Sequence, residues 1–194
     1  LRLAAETEGR GRTEDDLAYL RPVDEFSNAV LAEQPNTDFA YVIARQFLLD
    51  VYHCLLYQRL QKSADATLAG MAARFLKEAI YHQRHSAAWI QRLGMGTEES
   101  RRRIQTALND LWRYTPELLM AQPREAVLNS TGIIPDAAEI ALEWMVQVLR
   151  VITAAGLHKP DEPAADQYVR RSDHLGRILA EMQYLPRTYP DAKW

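Results

Sequence analysis

From residue 38 to 61, from 65 to 93 and again from 135 to 155, apolar side chains return every three or four positions, the spacing that lines one face of a helix. Phe39, Ile43, Phe47, Val51, Cys54 and Leu55 make the first stripe. Leu68, Met71, Ala72, Phe75, Ala79, Ser86, Trp89 and Leu93 make the second, and Ile140, Trp144, Val148 and Val151 a later one. Alternating β-branched runs are few and there are only 8 glycines, so no strand pattern competes. The fold class that follows is all-α, an antiparallel helical bundle.

Punctuation divides the stripes. Pro35-Asn36-Thr37 forms a turn before a helix from Asp38 to Gln61. Asp65 caps a second helix, with Gly94 expected as its left-handed terminator. The short loop between the two predicts an antiparallel hairpin. Thr97, with Glu98 and Glu99 behind it, starts a third helix. Pro116 should kink that helix or restart it with Thr115 as a new cap, and Pro123 and Asn129-Ser130-Thr131-Gly132 break the chain again. Pro135 is expected in the first turn of a helix running to Gly156. A mobile, solvent-facing loop from His158 to Arg170 should follow. A last helix, capped by Ser172, carries Leu175, Leu179, Met182 and Leu185 and stops at Pro186. The stretch from Thr7 to about Leu31 is charged and weakly periodic. At 194 residues a single domain, 1–194, is expected.

Net charge is -3, which argues against nucleic acid as the main partner. No apolar run approaches the ~18 residues of a membrane span, so no membrane partner is expected. The lone Cys54 cannot form an internal disulfide, and a reducing, cytoplasmic setting is expected. The chain opens Leu1-Arg2-Leu3-Ala4-Ala5-Glu6 as though already inside a helix, and an incomplete N-terminus is expected.

Two carboxylate–histidine pairs are the chemical candidates: Asp50-Val51-Tyr52-His53 and Glu78-Ala79-Ile80-Tyr81-His82. Di-iron carboxylate bundles take a Glu from each of two helices and Glu-x-x-His from each of the other two. One pair here has Asp for Glu, and the other has one residue too many. The spacing places Asp50, His53, Glu78 and His82 near one level of a hairpin, where buried carboxylates need partners. Those partners are a metal, or a metal-free network completed by Tyr57, Tyr81 or Gln46. Four ligands fall short of the about six that a di-iron centre uses. Neither Glu139 nor Glu143 has a histidine close behind it, and Asp173-His174 reads as first-turn capping. The four are therefore read as a degenerate site, with no catalytic residue and no metal assigned. The open alternative is a di-iron oxygenase subunit binding its own metal through these residues plus others outside the chain. Arg101-Arg102-Arg103 and Arg170-Arg171 with Arg177 are candidate phosphate contacts, with solvated charged faces as the plainer reading. Cys54, far from any cation or helix start, reads as a structural thiol.

Several strings carry a family resemblance. These are Phe26-Ser27-Asn28, Glu33-Gln34-Pro35-Asn36, Ile43-Ala44-Arg45-Gln46-Phe47, Lys77-Glu78-Ala79, Tyr81-His82, Arg92-Leu93-Gly94 and Leu111-Trp112-Arg113-Tyr114-Thr115. Near the end come His174-Leu175-Gly176, Leu179-Ala180-Glu181-Met182-Gln183-Tyr184-Leu185 and Trp194. In order and spacing they resemble the structural subunits (PaaC type) of the phenylacetyl-CoA 1,2-epoxidases, ring-epoxidising monooxygenase complexes of the ferritin-like superfamily. The resemblance runs from about residue 16 to the end and is weakest over 120–170. It implies a ferritin-like bundle that lacks here the two helices preceding Leu1 in the family. It further implies a non-catalytic role beside a catalytic sister subunit that holds the di-iron centre, so that this chain carries no cofactor. The complex implied uses O2 and electrons from a separate reductase to epoxidise phenylacetyl-CoA in phenylacetate degradation.

Overall fold

The protein is described from a computed structural model, for residues 1–162, 173–189 and 192, with the Arg124 side chain left out. The helices are α1 (Arg2–Glu8), α2 (Phe39–Leu60), α3 (Ala66–Gly94), α4 (Glu98–Trp112), α5 (Thr115–Leu119), α6 (Ala126–Ser130), α7 (Ala137–Ala154), α8 (His174–Met182) and α9 (Tyr184–Thr188). No strand occurs among the described residues. The chain divides into two compact units, Leu1–Ala29 with Arg171–Trp194, and Val30–Arg170.

In the larger unit α2 is the central element, packed by α3, α4 and α7. Asp38 caps it by accepting from the Tyr41 N–H at 2.8 Å. Ile43, Ala44, Phe47, Leu48, Val51, Cys54 and Leu55 are buried along it. Phe39, expected inside, is 52% exposed, because it opens the helix at the rim and meets Trp89 edge-on at 4.9 Å. That contact at one end and Tyr57–Phe75 at 5.9 Å toward the other give α2 and α3 their antiparallel register. α2 is long and apolar enough to cross a membrane by length and composition alone, a property shared by core helices of globular bundles. α7 also runs antiparallel to α2: the Trp144 indole N–H donates to the Leu48 carbonyl at 2.9 Å, and Arg59 pairs with Glu143 at 2.8 Å. Trp144 packs against Trp112 of α4, centroids 5.6 Å apart, at the heart of the core.

Caps read from the sequence recur at Asp65 and Thr97, each accepting from backbone N–H groups of its own first turn, whereas Asp38, read as the first residue of its helix, is itself the cap of α2. Four other boundaries differ. Gly94 is the last residue of α3, not a left-handed terminator; its lack of a side chain serves close packing, since a Cβ there would lie 2.9 Å from Ala155 Cβ and closer still to the Ala155 carbonyl. Thr115 is the first residue of α5, with its hydroxyl donating back to the Trp112 carbonyl at 2.9 Å. Pro135 precedes the cap, which is Asp136. Pro186 lies inside α9, where a first-turn proline forfeits no intrahelical hydrogen bond. Gly156, at φ 68, does terminate α7 as expected. The Ser172 cap, the loop positions after Glu162, Arg170-Arg171 and the terminal Trp194 lie outside the described residues.

The smaller unit brings α1, a π-helical turn (Asp16–Leu20), α8 and α9 together. The stretch read as weakly periodic is built of short turns held by side chains. Arg12 pairs with Glu8 and, at 2.9 Å, with Glu25. Buried Gln183 donates to the Arg21 carbonyl at 2.6 Å, and the Arg21 guanidinium lies 4.2 Å over Phe26.

Two glycines in α3 make opposite predictions. Gly94→Ala forces a Cβ into Ala155 and should destabilise the chain by about 1–3 kcal/mol in urea unfolding, as overpacking does. Gly70→Ala, with nothing within 4 Å of the added carbon, should stabilise by roughly 0.5–1 kcal/mol through helix propensity.

Candidate functional site

The α2–α3 contact surface is set by small residues. Ala72, Ala79 and Ser86, seven apart and thus on one face two turns from each other, are all buried there. Asp50 lies opposite on α2, 2% exposed. Its two oxygens have separate partners: Gln46 Nε2 donates to Oδ1 at 2.6 Å, and Ser86 Oγ donates to Oδ2 at 2.8 Å. The Ser86 hydroxyl also stands 3.0 Å from the His82 carbonyl, an alternative acceptor one turn back. The network is thus one carboxylate, one amide and one hydroxyl bridging two helices.

Of the four residues of the degenerate site, only Asp50 lies in this network. His53 is half-buried, stacked on Tyr57 at 6.0 Å. Glu78 and His82 are exposed, which overturns the expectation of a closed network joining both pairs. The reason is angular: each residue turns a helix by about 100°, so with Ala79 against α2, Glu78 is carried to the flank. Coulombic interaction with His82 and then His53 favours the ionised form of Asp50. Of the completing groups read from the sequence, Gln46 is present. Tyr81 is 67% exposed, stacked on His85 instead. Ser86 was legible as part of the buried stripe, and its spacing of seven from Ala79 marks it as a contact position. Its role as partner to Asp50 needed the helix–helix register.

Burial raises the Asp50 pKa above its ordinary 3.8, against the hydrogen bonds from Gln46 and Ser86, which pull it down. Burial lowers the His53 pKa, keeping the imidazole neutral at pH 7, with Asp50 opposing. Cys54 is buried and its thiol is pushed up to about 11 by burial and then by the Asp50 charge, an environment that holds it protonated and inert.

Ferritin-like bundles commonly hold a di-iron centre, and the residues present do not fit one. Asp50 has both oxygens engaged, Glu78 faces outward, and no group of three or more His, Cys, Asp or Glu is placed to hold a metal ion among the described residues. Glu139 and Glu143 are both committed to Arg59, at 3.7 and 2.8 Å. The arginine run of α4 is also occupied. Arg102 and Arg103 pair with Glu99 at 2.8 and 2.7 Å, Arg103 reaches Asp38 at 3.4 Å, and Arg101 donates to the Gly94 carbonyl at 2.8 Å. Arg101 thus closes the α3–α4 turn, while Arg102 and Arg103 are held by carboxylates of α4 and of the α2 cap. Arg177 is exposed on α8.

Asp50 predicts a measurable pattern. Asp50→Ala leaves Gln46 without its acceptor and should cost about 1–3 kcal/mol. Asp50→Asn can keep the bridge, with its carbonyl accepting from Gln46 and its amide donating to Ser86, whose own proton then goes to the His82 carbonyl. Because the folded pKa is raised, the folded chain holds the Asp50 proton more tightly than the unfolded chain. Stability from that proton is full below 3.8 and is lost as pH rises through the folded pKa. Asp50→Asn should therefore equal or exceed the wild type in urea-unfolding stability at pH 7, and the gap should close as pH falls toward 3.8. A gap independent of pH would contradict this. Cys54 should react with a thiol reagent in the native protein at the rate of unfolding, and in urea within the mixing time.

The chain matches a family model described as phenylacetic acid catabolic protein over residues 1–194. It is 43% identical over 197 residues to one of the subunits of the 1,2-phenylacetyl-CoA epoxidase of Escherichia coli (strain K12), covering 100% of this chain and 79% of that protein. The all-α bundle agrees with the ferritin-like architecture expected from the resemblance. By full-length family match and by identity to a curated relative, this chain belongs to the phenylacetic acid catabolic protein family.

Proposed function

We propose that the chain is the structural, non-catalytic subunit of a multicomponent phenylacetyl-CoA epoxidase, pairing with and stabilising a di-iron catalytic sister chain. The relationship to a subunit of such an epoxidase supports the complex. The observation that carries the structural role is the occupation of Asp50 by Gln46 and Ser86, with Glu78 turned outward. A buried carboxylate that would be a ligand in a working centre is spent on joining α2 to α3. In this reading O2 activation and the iron belong to the sister chain. The phenylacetyl-CoA thioester is received at the shared complex, and a separate reductase supplies electrons. The buried, protonated Cys54 suits a reducing cytoplasm.

The test is reconstitution. Iron content of the purified chain, and epoxide formation from phenylacetyl-CoA with reductase, are measured alone and with the candidate catalytic sister. Turnover should require the sister, and its iron should remain with it. Roughly two irons per copy of this chain surviving dialysis, the content of a di-iron centre, would sink the reading. In the reconstituted complex Glu78→Ala with His82→Ala should leave turnover per assembled complex within about twofold, since removal of a ligand or proton-transfer group costs far more.

A further inference from the structure

The outward face of α3 carries a row of cations. Arg74, Lys77, Tyr81 and Arg84 follow one another at intervals of three and four residues, and Arg92 continues the row. At about 100° and 1.5 Å per residue, these five lie within ~80° of the helix circumference and span about 27 Å, on the side opposite Ala72, Ala79 and Ser86. All five are exposed, Tyr81 to 67%. Glu78 is the sole carboxylate among the 29 residues of the helix. Among the described residues Arg74, Lys77 and Arg84 make no ion pair or side-chain hydrogen bond. Arginines elsewhere are answered internally: Arg12 by Glu8 and Glu25, Arg59 by Glu143, Arg102 and Arg103 by Glu99. Arg74 and Lys77, one turn apart, repel each other, an arrangement that disfavours the helix bearing it. An anionic surface laid along the row removes that repulsion.

Charge and shape select the occupant. The chain is net -3 although α3 by itself is net positive, so the remainder is acidic and repels a long polyanion such as nucleic acid. A membrane-surface helix pairs its basic side chains with a lipid-facing apolar stripe, and the buried stripe of α3 is turned to the core. A small anion takes a concave site, whereas the row stands on a convex helix face. Cations at three- and four-residue spacing match carboxylates repeating at that spacing on a second helix, as at the charged flanks of helical coils. Tyr81 sits between Lys77 and Arg84 with its ring stacked on His85 at 6.4 Å. Tyr and Arg are the residue types that carry binding energy at interface centres.

We propose that the outward face of α3 docks an acidic helix of a partner polypeptide. Its carboxylates meet Arg74, Lys77, Arg84 and Arg92, and an aliphatic side chain between them packs on Tyr81. The docking face is independent of Asp50 and of the epoxidase reading.

Two synthetic helical peptides of identical composition test this. One carries Glu at three- and four-residue intervals along a single face, flanking a Leu; the other has the same residues scattered round the helix. In calorimetric titration of the full chain, the one-faced peptide should bind at least about fivefold tighter at low salt, and the advantage should shrink at high salt, as exposed ion pairs are screened. Arg74→Glu with Arg84→Glu should weaken its binding about tenfold, two attractive pairs having become repulsive. Arg74→Lys with Arg84→Lys keeps the charge and should stay within about twofold. Arg150→Glu with Arg177→Glu, the same charge change at exposed positions elsewhere, should also stay within about twofold. Retained cooperative melting by circular dichroism confirms that each variant folds. Equal affinity for the two peptides overturns the proposal, as does affinity that survives the Arg74–Arg84 reversal or falls equally with the Arg150–Arg177 change. So does tighter binding of a DNA duplex, or of vesicles of phosphatidylcholine and phosphatidylserine, that the Arg74–Arg84 reversal abolishes. Dimerisation of the chain at low salt that the same reversal abolishes would assign the face to a second copy instead. Failure here with successful reconstitution of epoxidation would remove the docking face and leave the proposed function standing.

Discussion

A carboxylate sits inside the central helix of the larger unit, and the arrangement of its neighbours turns on satisfying it. Asp50 is 2% exposed on a helix packed by three others, where an unpartnered charge would cost several kcal/mol. Gln46, one turn back on the same helix, supplies one hydrogen bond without regard to tertiary packing. The second comes from Ser86 on α3, and it exists only in the register that also seats Ala72 and Ala79 against α2. Slipping α3 along α2 by a turn would leave Asp50 short of a donor. The polar bridge therefore adds register to a contact whose small residues otherwise set only closeness.

The same geometry decides what the two carboxylate–histidine pairs become. In linear sequence they look alike, each a carboxylate followed within a turn by a histidine. In the bundle they differ, because Ala79 faces the core while Glu78 beside it does not. His53 is held neutral by its half-burial, while His82 stays exposed on the flank. The result is a hydrogen-bonded joint between α2 and α3.

Much of the fold was legible because it follows from local rules. Asp65 and Thr97 cap the helices they were read to cap, since an oxygen near free first-turn N–H groups works whatever lies beyond. Gly156 stops α7 by the same local logic. Misreadings arose where a residue type has two uses. Gly94 fits a left-handed terminator as well as a tight crossing, and only the approach of Ala155 distinguishes them. Pro186 is a stop in a helix interior and harmless in a first turn, and the choice depends on Gln183, whose side chain is drawn to the Arg21 carbonyl at the break before α9.

By itself the sequence determined the helical class, the main helix spans, the burial of Asp50 and the family, because periodicity, caps and ordered motifs are written along one chain. Tertiary structure alone decided which of Asp50, His53, Glu78 and His82 share a surface, that Ser86 completes the bridge, and that the arginines of α4 are already paired. Those outcomes depend on the rotation and register of one helix against another, and a rotation of one residue moves a side chain from the core to the flank.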